Sequence, residues 1–435
     1  MRAPAPAARP DALAALRFPD FRYLLAAGVT ESLAARALAV VIGYQIYQLT
    51  KSPLALGWLG LVEAAPALGL ALIGGHFADR RDRRRIVLVT RSVLVVAAAL
   101  MSLISGAGSA TLLALYALVF ASGLARGFGD PAASAFETQV VPAGAYINAA
   151  TWLGSAGLAA AMVGPALGGF AFDLLGVGWA YGIVAALHLI SWLAISRIPP
   201  KPIPAPTGDT PEPIGQSIRA GLRFVWRDPV LVGSMALDLF AVLFGGAVAL
   251  LPIFADDILK VGARGLGFLV AAPSVGALLV TLWATRQPPA RNAGATLLWC
   301  VAGFGVSIIV FALSHNLWLS LVALAFSGAF DGVSMVVRRA ILRLRTPDHL
   351  RGRVSSVSLI FIGSSNEIGA FESGFAASLL GTARSVWLGG LVTLLVVIVA
   401  AWKVPELRRL DLTKAALEPL DKLELEREAR LGNAE

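Results

Sequence analysis

The chain has 435 residues, of which 57% are hydrophobic and 14% charged, with mean hydropathy +0.75 and a formal charge of +9. A soluble chain carries roughly a quarter charged residues, so the composition excludes an ordinary water-soluble domain. A basic balance can signal nucleic acid, but here the positive charge sits between long apolar blocks, which argues against a nucleic-acid partner. A single cysteine, Cys300, excludes an internal disulfide and a cysteine-based metal site.

A membrane-crossing helix needs about 20 mostly apolar residues, and twelve blocks meet that requirement. In chain order they are 22–48, 53–76, 86–106, 111–135, 146–172, 178–197, 229–254, 264–285, 293–314, 316–340, 354–381 and 384–404. Residues 1–21 form a Pro-, Ala- and Arg-rich arm, expected to be cytoplasmic and without a cleavable signal, because the first block is too long for a signal core. The stretch 199–213 holds seven prolines in fifteen residues. Proline lacks the amide donor that a helix needs, so this stretch reads as an extended linker. The expected organisation is an N-terminal six-helix half at 22–197, a linker with an interfacial helix at 198–228, a C-terminal six-helix half at 229–404, and a charged cytoplasmic tail at 405–435. In the interfacial helix Ile218, Leu222 and Val225 share one face, and Arg219, Arg223 and Arg227 follow at a spacing of four.

With a cytoplasmic N-terminus, 30 of the 36 Lys and Arg residues belong with the cytoplasmic side. Lys51, Lys260, Arg264 and Arg384 fall outside it, and Arg36 and Arg126 lie within spans. This is the positive-inside bias that sets orientation. The two halves also echo each other. Leu56-Gly57-Trp58-Leu59 followed by Ala64-Ala65-Pro66 in span 2 matches Leu266-Gly267-Phe268-Leu269 followed by Ala271-Ala272-Pro273 in span 8.

Two motifs stand out. Loop 2–3 reads Gly75-His76-Phe77-Ala78-Asp79-Arg80-Arg81-Asp82-Arg83-Arg84-Arg85. A glycine there permits close helix approach, an aspartate can sit at a positive helix N-terminus, and arginines can bind phosphates or carboxylates. Span 5 reads Ala160-Ala161-Met162-Val163-Gly164-Pro165-Ala166-Leu167-Gly168-Gly169. Its proline permits a kink and its glycines permit close packing.

The loop resembles the major facilitator signature Gly-x-Leu-Ala-Asp-Arg-x-Gly-Arg-Arg, with Phe77 and Asp82 departing from it. The span-5 run resembles the Gly-x-x-x-Gly-Pro-x-x-Gly-Gly motif of the exporting branches, with Ala160 in place of the first glycine. In span 4, Arg126 fits the superfamily's arginine motif, while Gly129 and Asp130 depart from it. The stretches Phe21-Arg22, Gln48–Gly57, Gly221–Val225 and Thr346–Val354 resemble most the enterobactin-exporter-like, transmembrane secretion effector branch. The resemblance implies an all-α polytopic protein with the major facilitator fold. It implies a secondary active transporter in the bacterial inner membrane, exporting siderophore-like or drug-like small molecules. It further implies a gating loop built on Gly75, Asp79, Arg80, Arg83 and Arg84, with Asp79 facing the start of span 11 and Arg83 reaching Asp130. An uptake symporter of the same fold and a non-transporting membrane sensor or assembly protein remain alternatives.

Charges inside spans are costly, so each is a functional candidate. The acids are Glu31, Glu63, Asp130, Asp238, Asp331, Glu367 and Glu372, and the bases are Arg36 and Arg126. Arg126 and Asp130, four apart, can neutralise each other. Glu31 and Arg36, five apart, diverge around a helix, which turns Arg36 toward another element. Glu31 and Asp238 occupy similar depths in the first helices of the two halves and are the favoured proton carriers. No nucleotide loop, His-Glu-x-x-His or metal-spaced cluster occurs in the sequence, so no cofactor, metal or catalytic residue is expected. The expected partners are a small-molecule substrate, protons and membrane lipids, and the functional unit is expected to be a monomer. Reporter fusions test the orientation. A cytoplasmic reporter placed after Pro206 or after Glu435 should be active, and a periplasmic reporter at either site should be silent.

Overall fold

The computed structural model describes residues 13–202, 214–284, 291–347 and 350–412. The N-terminal arm up to residue 12, most of the Pro-rich linker, His349 and the tail beyond residue 412 lie outside the described residues.

The described chain is helical throughout. The first half comprises α1 (Pro19–Thr50), α2 (Pro53–Arg80), α3 (Arg83–Gly106), α4 (Leu112–Val140), α5 (Tyr146–Leu175) and α6 (Val177–Arg197). The helix expected to be interfacial is α7 (Ile214–Arg227), with Arg219, Arg223 and Arg227 exposed, Leu222 partly buried and Val225 buried. The second half comprises α8 (Pro229–Gly245), the single turn α9 (Leu251–Ile253), α10 (Gly262–Ala284), α11 (Ala293–Leu313), α12 (Leu317–Arg345), α13 (Arg351–Leu380), α14 (Thr382–Lys403) and the short α15 (Pro405–Arg408).

Eleven described segments are long and apolar enough to cross a membrane. The predicted span 354–381 is also a single 30-residue helix, α13. Its serines, with Asn366, Glu367 and Glu372, hold its mean hydropathy below that of the other spans. The predicted span 229–254 extends further, to Ile258, and it is not one regular helix. α8 ends at Gly245, a 3₁₀ turn covers Ala247–Leu250, and a π turn covers Phe254–Ile258. The adjacent Gly245 and Gly246 and then Pro252 interrupt the ladder, a tolerated break where protein surrounds the freed backbone groups.

The chain forms two compact units. One holds Met1–Val41 with Ala65–Pro206, and the other holds Ile42–Ala64 with Thr207–Glu435. The division therefore runs through the middle of α1 and α2, and their far ends, away from the arginine-rich loop, belong to the second unit.

Each unit is drawn together by glycines. In the first, a Cβ on Gly127 would come within 3.1 Å of the Pro66 carbonyl, and one on Gly74 within 2.2 Å of the Gly127 carbonyl. In the second, a Cβ on Gly328 would meet the Pro273 carbonyl at 1.9 Å, and one on Gly276 the Ala325 carbonyl at 1.7 Å. The repeated Ala-Ala-Pro segments thus meet a glycine of α4 in one unit and of α12 in the other. Small residues let backbones approach where no side chain fits between them.

Replacement of Gly328 by valine should destabilise the protein by about 1–3 kcal/mol or more, as overpacked cores do. Gly154, where an added Cβ meets nothing within 4 Å, should accept alanine without loss. Thermal unfolding of the two detergent-purified variants, followed by size-exclusion recovery, separates the cases.

Candidate functional site

In the first unit the loop motif is ordered by hydrogen bonds to backbone. Arg83 donates to the Ala78 and Ala135 carbonyls, both at 3.1 Å, and lies 3.5 Å from Asp79. The expected reach to Asp130 is not made: Asp130 pairs along its own helix with Arg126 at 3.6 Å. Arg84 donates to the Ser196 carbonyl at 2.7 Å, tying the loop to the end of α6. Arg80 is exposed. Asp82, where the signature has glycine, caps α3 by accepting from the Arg85 amide at 3.2 Å, a role for which aspartate is a preferred residue. Gly75 does not mediate the close approach expected of it. A Cβ there meets nothing, and Gly74 makes the contact instead.

The span-5 motif packs on α1. A Cβ on Gly164 would stand 2.6 Å from the Arg36 Cβ, and one on Gly168 would stand 2.6 Å from the Ala37 carbonyl. Gly164, Pro165, Gly168 and Gly169 are all buried. The motif fixes the rotation of α1, and with it the direction of Glu31.

Glu31 meets two partners from other helices. Its carboxylate forms an ion pair with Arg91 of α3, and its second oxygen lies 2.9 Å from Nδ1 of His188 on α6. All three side chains are largely buried, His188 being 3% exposed. Ser191, one turn along α6, donates to the Ala27 carbonyl at 3.0 Å and holds α6 against α1. Arg36 takes no part in this pairing.

The second unit repeats the theme with different helices. Asp238 of α8 forms an ion pair with Arg338 of α12, and the same guanidinium stands 3.3 Å from Asp331, two turns earlier on α12. The Arg338 Nε donates to the Ser334 carbonyl at 3.3 Å. Helical side chains lean toward the N-terminus, so a long arginine can reach back along its own helix to Asp331. At the basic end, Arg345 pairs with Asp228, the cap of α8, at 2.7 Å.

The remaining in-span acids are Glu63, Glu367 and Glu372. Glu63 is half-buried on α2. Glu367 lies against Gly60, where an added Cβ would stand 3.1 Å from its Oε2. Glu372 lines a cavity of about 150 Å³ beside Phe244, Ser373 and Ser385. No group of three or more His, Cys, Asp or Glu able to hold a metal occurs among the described residues.

A third cluster ties the far ends of α1 and of the interrupted span. Tyr44 donates to Asp256 at 2.7 Å, Tyr47 donates to Asp257, and Lys51 pairs with Asp256 and stands 3.7 Å from Asp257. The hydrogen bond that it donates to the Asp256 carboxylate holds the Lys51 ammonium above its usual pKa range. Lys51 itself adopts a left-handed backbone, φ +49°, a conformation uncommon for a residue with a side chain.

The model of the transmembrane secretion effector family matches residues 10–433. The chain belongs to that family. Among curated relatives, the enterobactin exporter EntS of Escherichia coli (strain SMS-3-5 / SECEC) is 28% identical over 411 residues, covering 93% of this chain and 96% of the relative. EntS of Shigella flexneri is 27% identical over 401 residues, covering 90% and 93%. Among solved structures, a bacterial homologue of the human lysosomal transporter Spinster, inward-facing and unoccupied, aligns with TM-score 0.67 at 16% identity, over 91% of this chain and 97% of that one. The nucleoside transporter NupG aligns with TM-score 0.69 at 11% identity, over 88% and 100%. This family member therefore has the major facilitator fold, with twelve spanning helices in two six-helix halves.

Two members of the clusters, Arg91 and Arg338, escape a reading of span charges because both lie near the basic ends of their spans and count there with the topogenic arginines. The detectable signal is position: Arg91 falls inside the block 86–106 and Arg338 inside 316–340. Asp256 and Asp257 fall just beyond the predicted end of span 7.

Removing one member of a buried pair leaves an uncompensated charge and costs about 3–5 kcal/mol. Arg91→Met should therefore lower the folded yield sharply. The double variant Glu31→Gln with Arg91→Met should recover most of that yield, as read by fluorescence-detected size-exclusion chromatography.

Proposed function

We propose that this protein exports siderophore-like or amphiphilic drug-like small molecules across the bacterial inner membrane by alternating access, with both termini cytoplasmic and inward-moving protons as the driving force. Family membership and full-length similarity to proteins named as enterobactin exporters support transport and its direction. The observation that carries the coupling is the treatment of the two first helices. Each places a carboxylate, Glu31 or Asp238, in mid-span and engages it with an arginine from another helix of its own unit.

A charge held at depth is costly unless paired. A carboxylate that exchanges its arginine for a proton changes the local charge by one and can tie loading to a helix movement. Each inward proton contributes roughly 2.3 kcal/mol per 100 mV besides the pH term. The loop arginines and Asp79 would brace the basic side, and Glu63, Arg126, Asp130, Glu367 and Glu372 remain candidate substrate or proton contacts.

Everted vesicles containing the protein should accumulate enterobactin, or members of a drug panel, when acidified inside, and a protonophore should stop them. Measured per folded molecule, because Glu31→Gln leaves Arg91 without its counterion and lowers the folded yield, Glu31→Gln and Asp238→Asn should each abolish gradient-driven accumulation and leave substrate binding measurable. Accumulation that survives a protonophore would exclude proton drive, and wild-type rates in both variants would make these two carboxylates structural.

A further inference from the structure

The two buried clusters differ in charge count. In the first unit Glu31 and Arg91 cancel, with the His188 ring beside them. In the second, one guanidinium faces two carboxylates. Asp238 and Asp331 thus share one guanidinium, and a charge inside a span without a counterion of its own is costly.

Among the described residues, Arg338 is the cation that pairs with both acids. α8 carries only Asp238, and α11 carries Cys300 and no charged residue. α10 carries only Arg264, close to its start at the far end. On α13, Arg351 and Arg353 open the helix at the basic end, Glu367 lies against Gly60, and Glu372 lines its separate cavity. On α12 itself, Arg345 is bound to Asp228, and Arg339 and Arg343 follow Arg338 toward the basic end.

The two acids are not equivalent. The Asp238 side chain is 12% exposed and that of Asp331 is 43% exposed. We infer that Asp331 carries the exchangeable proton of this cluster, while Asp238 stays an anion on Arg338 and Arg338 acts as the positioning residue that both acids share. When a proton binds the Asp331 carboxylate, the acid becomes neutral and the guanidinium belongs to Asp238 alone. When that proton leaves to water on the other side, Asp331 becomes an anion and draws Arg338 back along α12. Atoms balance, because one proton enters and one leaves. The inference rests on the proton-antiport reading, and within that reading it moves the carrier from Asp238 to Asp331.

Two measurements on the full-length protein test it. The first needs no substrate. Dicyclohexylcarbodiimide modifies protonated carboxyls in apolar surroundings, and peptide mass spectrometry of the detergent-purified chain locates the adduct. It should fall on Asp331, decline as pH rises, and spare Asp238. In Arg338→Gln, with the cation gone, Asp238 should become labelled too, whereas Arg338→Lys should keep the wild-type pattern. Labelling of Asp238 but not Asp331 in the wild type, or an Asp331 adduct that does not vary with pH, would overturn the assignment.

The second uses enterobactin in everted vesicles. Asp331→Asn should lose at least tenfold of the stimulation given by a pH gradient while keeping enterobactin exchange without a gradient. Asp331→Glu should retain the stimulation with a displaced pH midpoint. If the wild type is stimulated and Asp331→Asn is stimulated equally, the assignment fails and proton antiport stands. If the wild type ignores the gradient, both fall. Protection of Asp331 from the carbodiimide by an organic cation such as tetraphenylphosphonium, with no effect of pH, would instead make the surplus charge a cation-binding site and reject the proton.

Discussion

A charge inside an apolar span must find its opposite, and that requirement governs how the helices of each unit are arranged. Glu31 cannot rest against lipid, so α3 and α6 must bring Arg91 and His188 to it. Asp238 imposes the same demand on α12 through Arg338. These pairs contribute less to net stability than their Coulomb attraction suggests, because desolvation offsets much of it. Their force is conditional: any packing that separates the partners is penalised far more than the pair is rewarded. They select one rotation and one depth for each helix they join.

Backbone contact supplies the complementary constraint. Where Gly276 faces Ala325 and Gly328 faces Pro273, no side chain could be added without moving a carbonyl. In a bilayer the solvent is as apolar as the side chains, so close packing rather than water exclusion holds helices together. The matching contact of Pro66 with Gly127 shows what a weak internal repeat preserves. Little of the residue text is common to the two halves, but the place where a proline-bearing helix meets a glycine recurs.

The fold was legible because spanning helices write themselves as long apolar blocks, and twelve blocks with a Pro-rich divider leave few architectures. The amphipathic helix Ile214–Arg227 was equally legible from its arginine spacing. The acids of the candidate site were legible as charges out of place. Their partners were not, since Arg91 and Arg338 lie near the basic ends of helices, where arginine has a sufficient topological reason to occur. Gly75 and Arg83 show a different limit. The loop motif specifies its neighbourhood, but a shift of one residue along α2 passed the close contact to Gly74, and backbone carbonyls took the Arg83 hydrogen bonds expected at Asp130. Periodicity does not resolve such choices, because they depend on the distance between helices.

The division of the chain through α1 and α2 bears on how the molecule is made. Asp256 and Asp257 obtain their phenols and ammonium from Tyr44, Tyr47 and Lys51, with Lys51 separated from Asp256 by 205 residues of sequence. During synthesis those three residues emerge long before the interrupted span does, and they must wait with their polar groups hydrated. When the later span is inserted, its two aspartates follow partners made some 205 residues earlier. Assembly of the second unit is therefore a templating step, in which an early helix supplies the surface on which late ones are seated. Truncation or slow insertion of the first two helices would be felt furthest away in the chain.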